Sequence, residues 1–147
     1  MSTNLKTLTL GGTEYAVNAP VVTVDKTLAE AASKLDFGPF TEGLTELYAV
    51  TKGVTGTEGT YLHWVVNGVK TAFIVGASIY TDSVCVHIKK TGSQWYVWVN
   101  GGVANIGNSQ AYISSALSGV DAITSFAIEA YSGSTFAAGT KFALEGR

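Results

Sequence analysis

Apolar and polar residues alternate with a period of two along most of this chain, the spacing of strands that bury one face. Residues 44–51 form one such run, and 61–66 and 69–75 form two more on either side of Asn67-Gly68. Asn-Gly between alternating runs predicts a two-residue hairpin, because a type I′ turn needs positive φ at both central positions. Residues 84–89 and 95–100 form the next pair, joined across 90–94, and an apolar stretch follows at 111–117. Residues 120–147 read as two further strands joined by a turn rich in Gly, Ser, Thr and Ala.

The alternation assigns faces. Val69, Thr71, Phe73 and Val75 share one side of their run, as do Val84, Val86 and Ile88, then Trp95, Val97 and Val99, then Phe126, Ile128 and Ala130. Opposite them lie Lys70 and Ala72, Cys85 and His87, Tyr96, Trp98 and Asn100, and Ala127, Glu129 and Tyr131. One apolar face per strand over many short strands predicts an all-β protein, an antiparallel β-sandwich of jelly-roll-like kind.

The N-terminal part differs. Leu8 and Leu10, the Gly11-Gly12 step and residues 13–17 predict a small hairpin, broken by Asn18-Ala-Pro20 before an extended run at 21–24. Leu28, Ala31, Ala32 and Leu35 fall at i, i+3, i+4 and i+7 behind Asp25, a residue suited to cap a helix. That spacing predicts one short helix over 26–35, ended by Phe37-Gly38-Pro39-Phe40. The chain thus divides into an N-terminal extended arm, residues 1–40, and a β-sandwich domain, residues 41–147.

Composition changes this picture in one respect. Only 14% of the 147 residues are charged, and 46% are hydrophobic. Soluble domains usually carry about 25% charged residues. The surface is therefore built of uncharged polar residues, or part of it is covered in an assembly. A net charge of −2 offers no electrostatic footprint for nucleic acid or an anionic membrane. Lys89-Lys90 reads as a guard at a strand end. Cys85, the only cysteine, excludes an intramolecular disulfide and reads as a small hydrophobe within a strand. Met1–Lys6 lacks the pattern of a secretory leader, and no apolar run reaches the roughly 18 residues of a spanning helix. The expectation is synthesis in a cytoplasm, without membrane insertion.

Little in the sequence suggests catalysis. His63 and His87 have no second ligand at metal spacing, and the 11 carboxylates are scattered. Gly11-Gly12, Gly101-Gly102 and the 53–56 stretch lack the helix and Lys-Ser/Thr pair of a phosphate loop. The reading is a protein that is not an enzyme and uses no cofactor or metal. Tyr61, Trp64, Tyr80, Trp95, Tyr96 and Trp98 remain, concentrated in the middle third. In a regular strand Trp95 and Trp98 cannot both face the core. With Trp95 inward as an anchor, Tyr96, Trp98 and Asn100 become candidate contacts for a partner or a glycan, or for a neighbouring subunit.

The run Phe136-Ala-Ala-Gly-Thr-Lys-Phe-Ala-Leu-Glu-Gly146, with residues 123–132 before it, resembles the closing strands of β-sandwich domains in tailed-bacteriophage virion proteins. The tyrosine usual before the last glycine of that pattern is Glu145 here. Residues 6–17 resemble the short N-terminal segments by which phage fibre and accessory proteins join the particle. The resemblance implies a structural virion protein on the particle exterior, a capsid decoration or head-fibre protein docked through its arm. Leu8, Leu10, Tyr15 and Val17 are then the candidate attachment residues. Its partners would be other capsid or tail proteins and copies of itself, in a homotrimer. A tail-tip adhesin binding a host surface glycan is the alternative, and a non-viral lectin-like module a further one.

Overall fold

The computed structural model of the chain describes residues 7–16, 20–52, 62–75, 83–101, 109–130 and 133–147. Val17, Tyr61 and Tyr80, the loop expected before Tyr61 and the polar loop before Ser109 lie outside them. Among the described residues there are twelve strands: β1 (Thr7–Leu10), β2 (Thr13–Ala16), β3 (Val22–Thr27), β4 (Lys34–Leu44), β5 (Glu46–Lys52), β6 (Leu62–Val66), β7 (Val69–Val75), β8 (Ser83–Thr91), β9 (Gln94–Gly101), β10 (Ser109–Ile113), β11 (Ile123–Ala130) and β12 (Lys141–Gly146). All pairings are antiparallel. β1 and β2 make a two-stranded sheet of their own.

The other ten strands form the sandwich. One sheet has the order β10-β9-β8-β5-β12-β3, and the other β4-β11-β6-β7. Without β9 and β10, the first, third, sixth and eighth strands of the sandwich share one sheet. The second, fourth, fifth and seventh share the other. This is jelly-roll connectivity, in which successive strands fall on opposite layers except at the central hairpin, here β6–β7. β9 and β10 widen one layer beyond that plan.

Both layers contribute alternate residues to one core. Val84, Val86 and Ile88 of β8 and Trp95, Val97 and Val99 of β9 are buried from one side, and Trp64, Phe126 and Ile128 from the other. Phe37 of β4 ties the layers together. Its ring lies 5.4 Å from Phe126 in its own sheet and 5.0 Å, edge-on, from Phe142 of β12 in the other. Such edge-to-face pairs add about 0.5–1.5 kcal/mol to the area they bury. The buried Trp95 indole donates to the Val120 carbonyl at 2.8 Å, so its polar end is also satisfied.

Two expectations need correction. The segment 26–35 is not helical, and among the described residues the helical content is a single 3₁₀ turn, Ser115–Leu117. β3 runs through Lys26 and Thr27, which pair with Phe142 and Lys141. The Leu28 amide donates to the Thr140 carbonyl, and Ala32 and Phe136 exchange both backbone bonds. Ten residues make a marginal helix, and here the extended chain completes its backbone hydrogen bonds against the segment entering β12. The arm is also shorter than 1–40: β3 and β4 are sandwich strands, paired with β12 and β11. Among the described residues, only the β1–β2 hairpin forms a sheet outside the two large ones. β11 and β12, the two terminal strands, lie in different layers, with the buried Phe136 on the connection between them.

The chain changes layer within one residue at Thr45, between β4 and β5. The amides of Thr45 and Glu46 both donate to the Arg147 carbonyl, and Lys90 donates to the Thr45 carbonyl. A Cβ on Gly146 would run into the buried Leu44 side chain, so glycine is needed at this corner.

The Asn67-Gly68 turn forms as its sequence predicts, with φ of 51° and 77°. Its asparagine does more than turn. The Asn67 side-chain oxygen accepts from the backbone amides of Thr124 (2.7 Å) and Ser125 (3.3 Å), and its amide donates to the Ala122 carbonyl at 3.0 Å. The turn is thereby bolted to the start of β11. Asn67→Gly keeps the φ and loses these bonds, and is expected to cost about 1–2 kcal/mol in urea unfolding. Asn67→Ala, which must also adopt positive φ, is expected to cost about 1 kcal/mol more.

Candidate ligand-binding face

The outer face of the six-stranded sheet carries a line of large side chains across the strands. In register, Ala111 of β10 stands opposite Trp98 of β9, Trp98 opposite His87 of β8, and His87 opposite Tyr48 of β5. The line continues through Glu145 of β12 to Thr23 of β3. The inward neighbours of these residues are committed to the core, so strand alternation forces them outward.

The rings are stacked. Tyr48 and His87 lie 3.9 Å apart between centroids and 14° from parallel, and His87 and Trp98 lie 4.8 Å apart at 21°. Tyr96 stacks on Trp98 more loosely, at 6.1 Å. Glu46 holds the base of the stack. Its Oε1 accepts from His87 Nε2 at 2.9 Å and from the Tyr48 hydroxyl at 3.2 Å. An ionised carboxylate only accepts, so in neutral His87 the proton resides on Nε2. The Arg147 guanidinium lies 5.9 Å from the Tyr48 ring centre, within cation–π range.

Beside this tall line runs a low one. Cys85 stands opposite Val50, Val50 opposite Ala143, and Ala143 opposite Asp25. The step between the two lines makes a groove of about 790 Å³. Val50, Cys85 and Ala143 line its low side, Tyr48, His87 and Trp98 its aromatic wall with Ala111 beyond Trp98, and Asp25 and Glu145 its acidic end. No lysine or arginine lines it among the described residues.

The sequence-predicted residues divide accordingly. Trp98 is 41% exposed at the groove, and Tyr96 is half-buried beside it, its hydroxyl 3.4 Å from Gln94 Oε1. Asn100 lies in register between Cys85 and Ser109, and its side chain is outside the described residues. Leu8 and Leu10 are exposed on the β1–β2 hairpin, far in sequence from Trp98 and not among the groove residues. Tyr15 stands opposite Leu8 in register, and its side chain is outside the described residues. Cys85, read as a small hydrophobe on the strand face opposite Val84, Val86 and Ile88, is on that face and exposed at the groove. The sequence reading missed Tyr48, Glu46, Asp25 and Glu145. Glu46 and Tyr48 share β5, but Asp25 of β3 and Glu145 of β12 reach the same groove only once those three strands are aligned.

No protein-family model, curated protein or solved structure matches the chain.

Burial pushes the Glu46 carboxyl up, but the His87 hydrogen bond, the Lys89 charge and the Tyr48 hydroxyl outweigh it and leave the group below its ordinary 4.5. Burial, reinforced by the Glu46 charge, pushes the Tyr48 phenol above its ordinary 10.0. A depressed carboxyl stabilises the fold above its unfolded value and loses that contribution as pH falls through the folded one. The melting temperature of the native chain should therefore exceed that of Glu46→Gln at neutral pH. The gap should close as pH falls below 4.5. For Tyr48 the sign reverses: its contribution is complete below pH 10 and lost above it, so Tyr48→Phe should remove part of the alkaline loss of stability.

Proposed function

We propose that this chain is a structural module displayed on the exterior of a tailed-bacteriophage particle, as a capsid decoration or head-fibre component. Its β1–β2 hairpin is the attachment segment and its sandwich the displayed body. The supporting observation is the hairpin. Among the described residues it pairs only with itself, outside both sandwich sheets, and it carries exposed Leu8 and Leu10 at alternate positions on one side. Two leucines in water on a short ribbon are an unfavourable arrangement that a docking partner would correct. The likeness of residues 6–17 and of the closing strands to phage virion proteins supports the same reading. Other virion proteins are the proposed partners, and the resemblance implies display as a homotrimer. Nothing in this role calls for catalysis or a cofactor.

The test is removal of residues 1–19. Deleting 1–40 would take away β3 and much of β4 and so unfold the body. The shorter deletion leaves every sandwich strand in place, and its melting temperature should stay within a few degrees of the full chain. Mixed with particles lacking the protein, the full chain should decorate them and the truncated chain should not. Decoration by the truncated chain at full occupancy would overturn the attachment role.

A further inference from the structure

We propose that the groove on the outer face of the six-stranded sheet binds a neutral oligosaccharide laid across the strands, with one sugar ring packed on Trp98 above Ala111. This does not depend on the attachment role, since the hairpin takes no part in the groove.

The stack of rings indicates where a ligand ring fits. Tyr48 and Trp98 cover the two faces of His87, and the rings follow one another at strand spacing. The next position in register beyond Trp98 belongs to Ala111, whose side chain is a single methyl. Both residues line the groove, and both are exposed. The stack therefore stops one member short of the last strand. A ring lying over Ala111 would continue it, gaining the face of Trp98 on one side and an apolar floor beneath. A pyranose suits that slot, because it carries a flat patch of C–H groups with hydroxyls around its edge.

Charge selects among ring-bearing ligands. The groove's far end carries the exposed carboxylates of Asp25 and Glu145, and no cationic side chain lines it among the described residues. Sulfated, phosphorylated or uronate sugars would meet these two carboxylates with no cation lining the groove beside them. Neutral sugar hydroxyls can donate to both carboxylates. Strands spaced about 4.8 Å apart put Ala111 and Thr23 about 24 Å from one another across the sheet, a length that takes several sugar units rather than one. The floor between is kept low by Val50, Cys85 and Ala143. Specificity would come from the two ends, a stacking platform at β9–β10 and a hydroxyl-accepting edge at β3–β12.

Trp98 makes the proposal testable with the intact chain. Of the three tryptophans, Trp64 and Trp95 are buried and Trp98 is exposed, so fluorescence quenching by a ligand reports on the groove. The probes are cellohexaose, maltohexaose, mannohexaose and galactohexaose, with hexagalacturonate as the anionic control. At least one neutral hexasaccharide should bind with a Kd of about a millimolar or tighter, the range of single sugar sites, and hexagalacturonate at least tenfold more weakly. Trp98→Ala should weaken binding at least tenfold, followed by NMR or calorimetry, with the melting temperature unchanged. Asp25→Asn with Glu145→Gln should weaken it several-fold and narrow the gap to hexagalacturonate. Filling the slot with Ala111→Phe should abolish binding while the chain stays folded. Three results would overturn the proposal: no neutral probe binding at 10-fold above a millimolar, tightest binding of hexagalacturonate, or binding indifferent to both Trp98→Ala and Ala111→Phe. Self-association through this face, lost in Trp98→Ala without any saccharide binding, would assign the groove to a second copy of the chain instead.

Discussion

A slip of one residue in the pairing of β8 or β9 would turn Val84, Val86 and Ile88, or Trp95, Val97 and Val99, out to water and carry His87 or Trp98 into the core. Because side chains alternate strictly in a strand, burial of one set and display of the other are a single event. Fully burying an indole such as Trp95 removes roughly 200 Å² from water, about 5 kcal/mol, and its N–H is matched to the Val120 carbonyl. That anchor holds β9 in register, and the register in turn sets Trp98 beside His87. The outer face therefore inherits its geometry from the inner one.

The jelly-roll plan explains why the groove lies on this layer. Its third, sixth and eighth strands, here β5, β8 and β12, are neighbours because the chain, apart from the β6–β7 hairpin, passes to the opposite layer from one strand of the plan to the next. Tyr48, His87 and Glu145 come from those three strands, and adjacency in the sheet brings them into one line. The β9–β10 addition extends the line by Trp98 and then by Ala111. Large residues in one row beside small ones in the next make a groove without any loop or cavity in the core. Glu46, anchored at the start of β5, keeps Tyr48 and His87 upright by accepting a hydrogen bond from each.

The false helix and the overlong arm share one cause. Leu28, Ala31, Ala32 and Leu35 have helical spacing, yet Leu35 is buried from β4 and the Leu28 and Ala32 amides are taken by Thr140 and Phe136. Those partners lie over a hundred residues away. Local periodicity carries no record of such a distant backbone, and a short helix without strong intrinsic stability yields to it. The sequence leaves the placement of the two terminal strands open for a related reason. Their connection is short enough for either a hairpin or a crossing, and the buried Phe136 commits it to crossing between the layers.

By itself, the sequence determined which residues alternate, where the Gly-Gly and Asn-Gly turns fall, and that Trp95 and Trp98 take opposite faces. These follow from φ/ψ preferences and the two-residue period of a strand, both of which act within a few residues. Tertiary structure alone decided that Asp25, Tyr48, His87, Trp98 and Glu145 border one groove. They come from β3, β5, β8, β9 and β12, and their alignment depends on strand order. Strand order is set by how two apolar faces close on each other, an interaction summed over the whole core and written in no single stretch of chain.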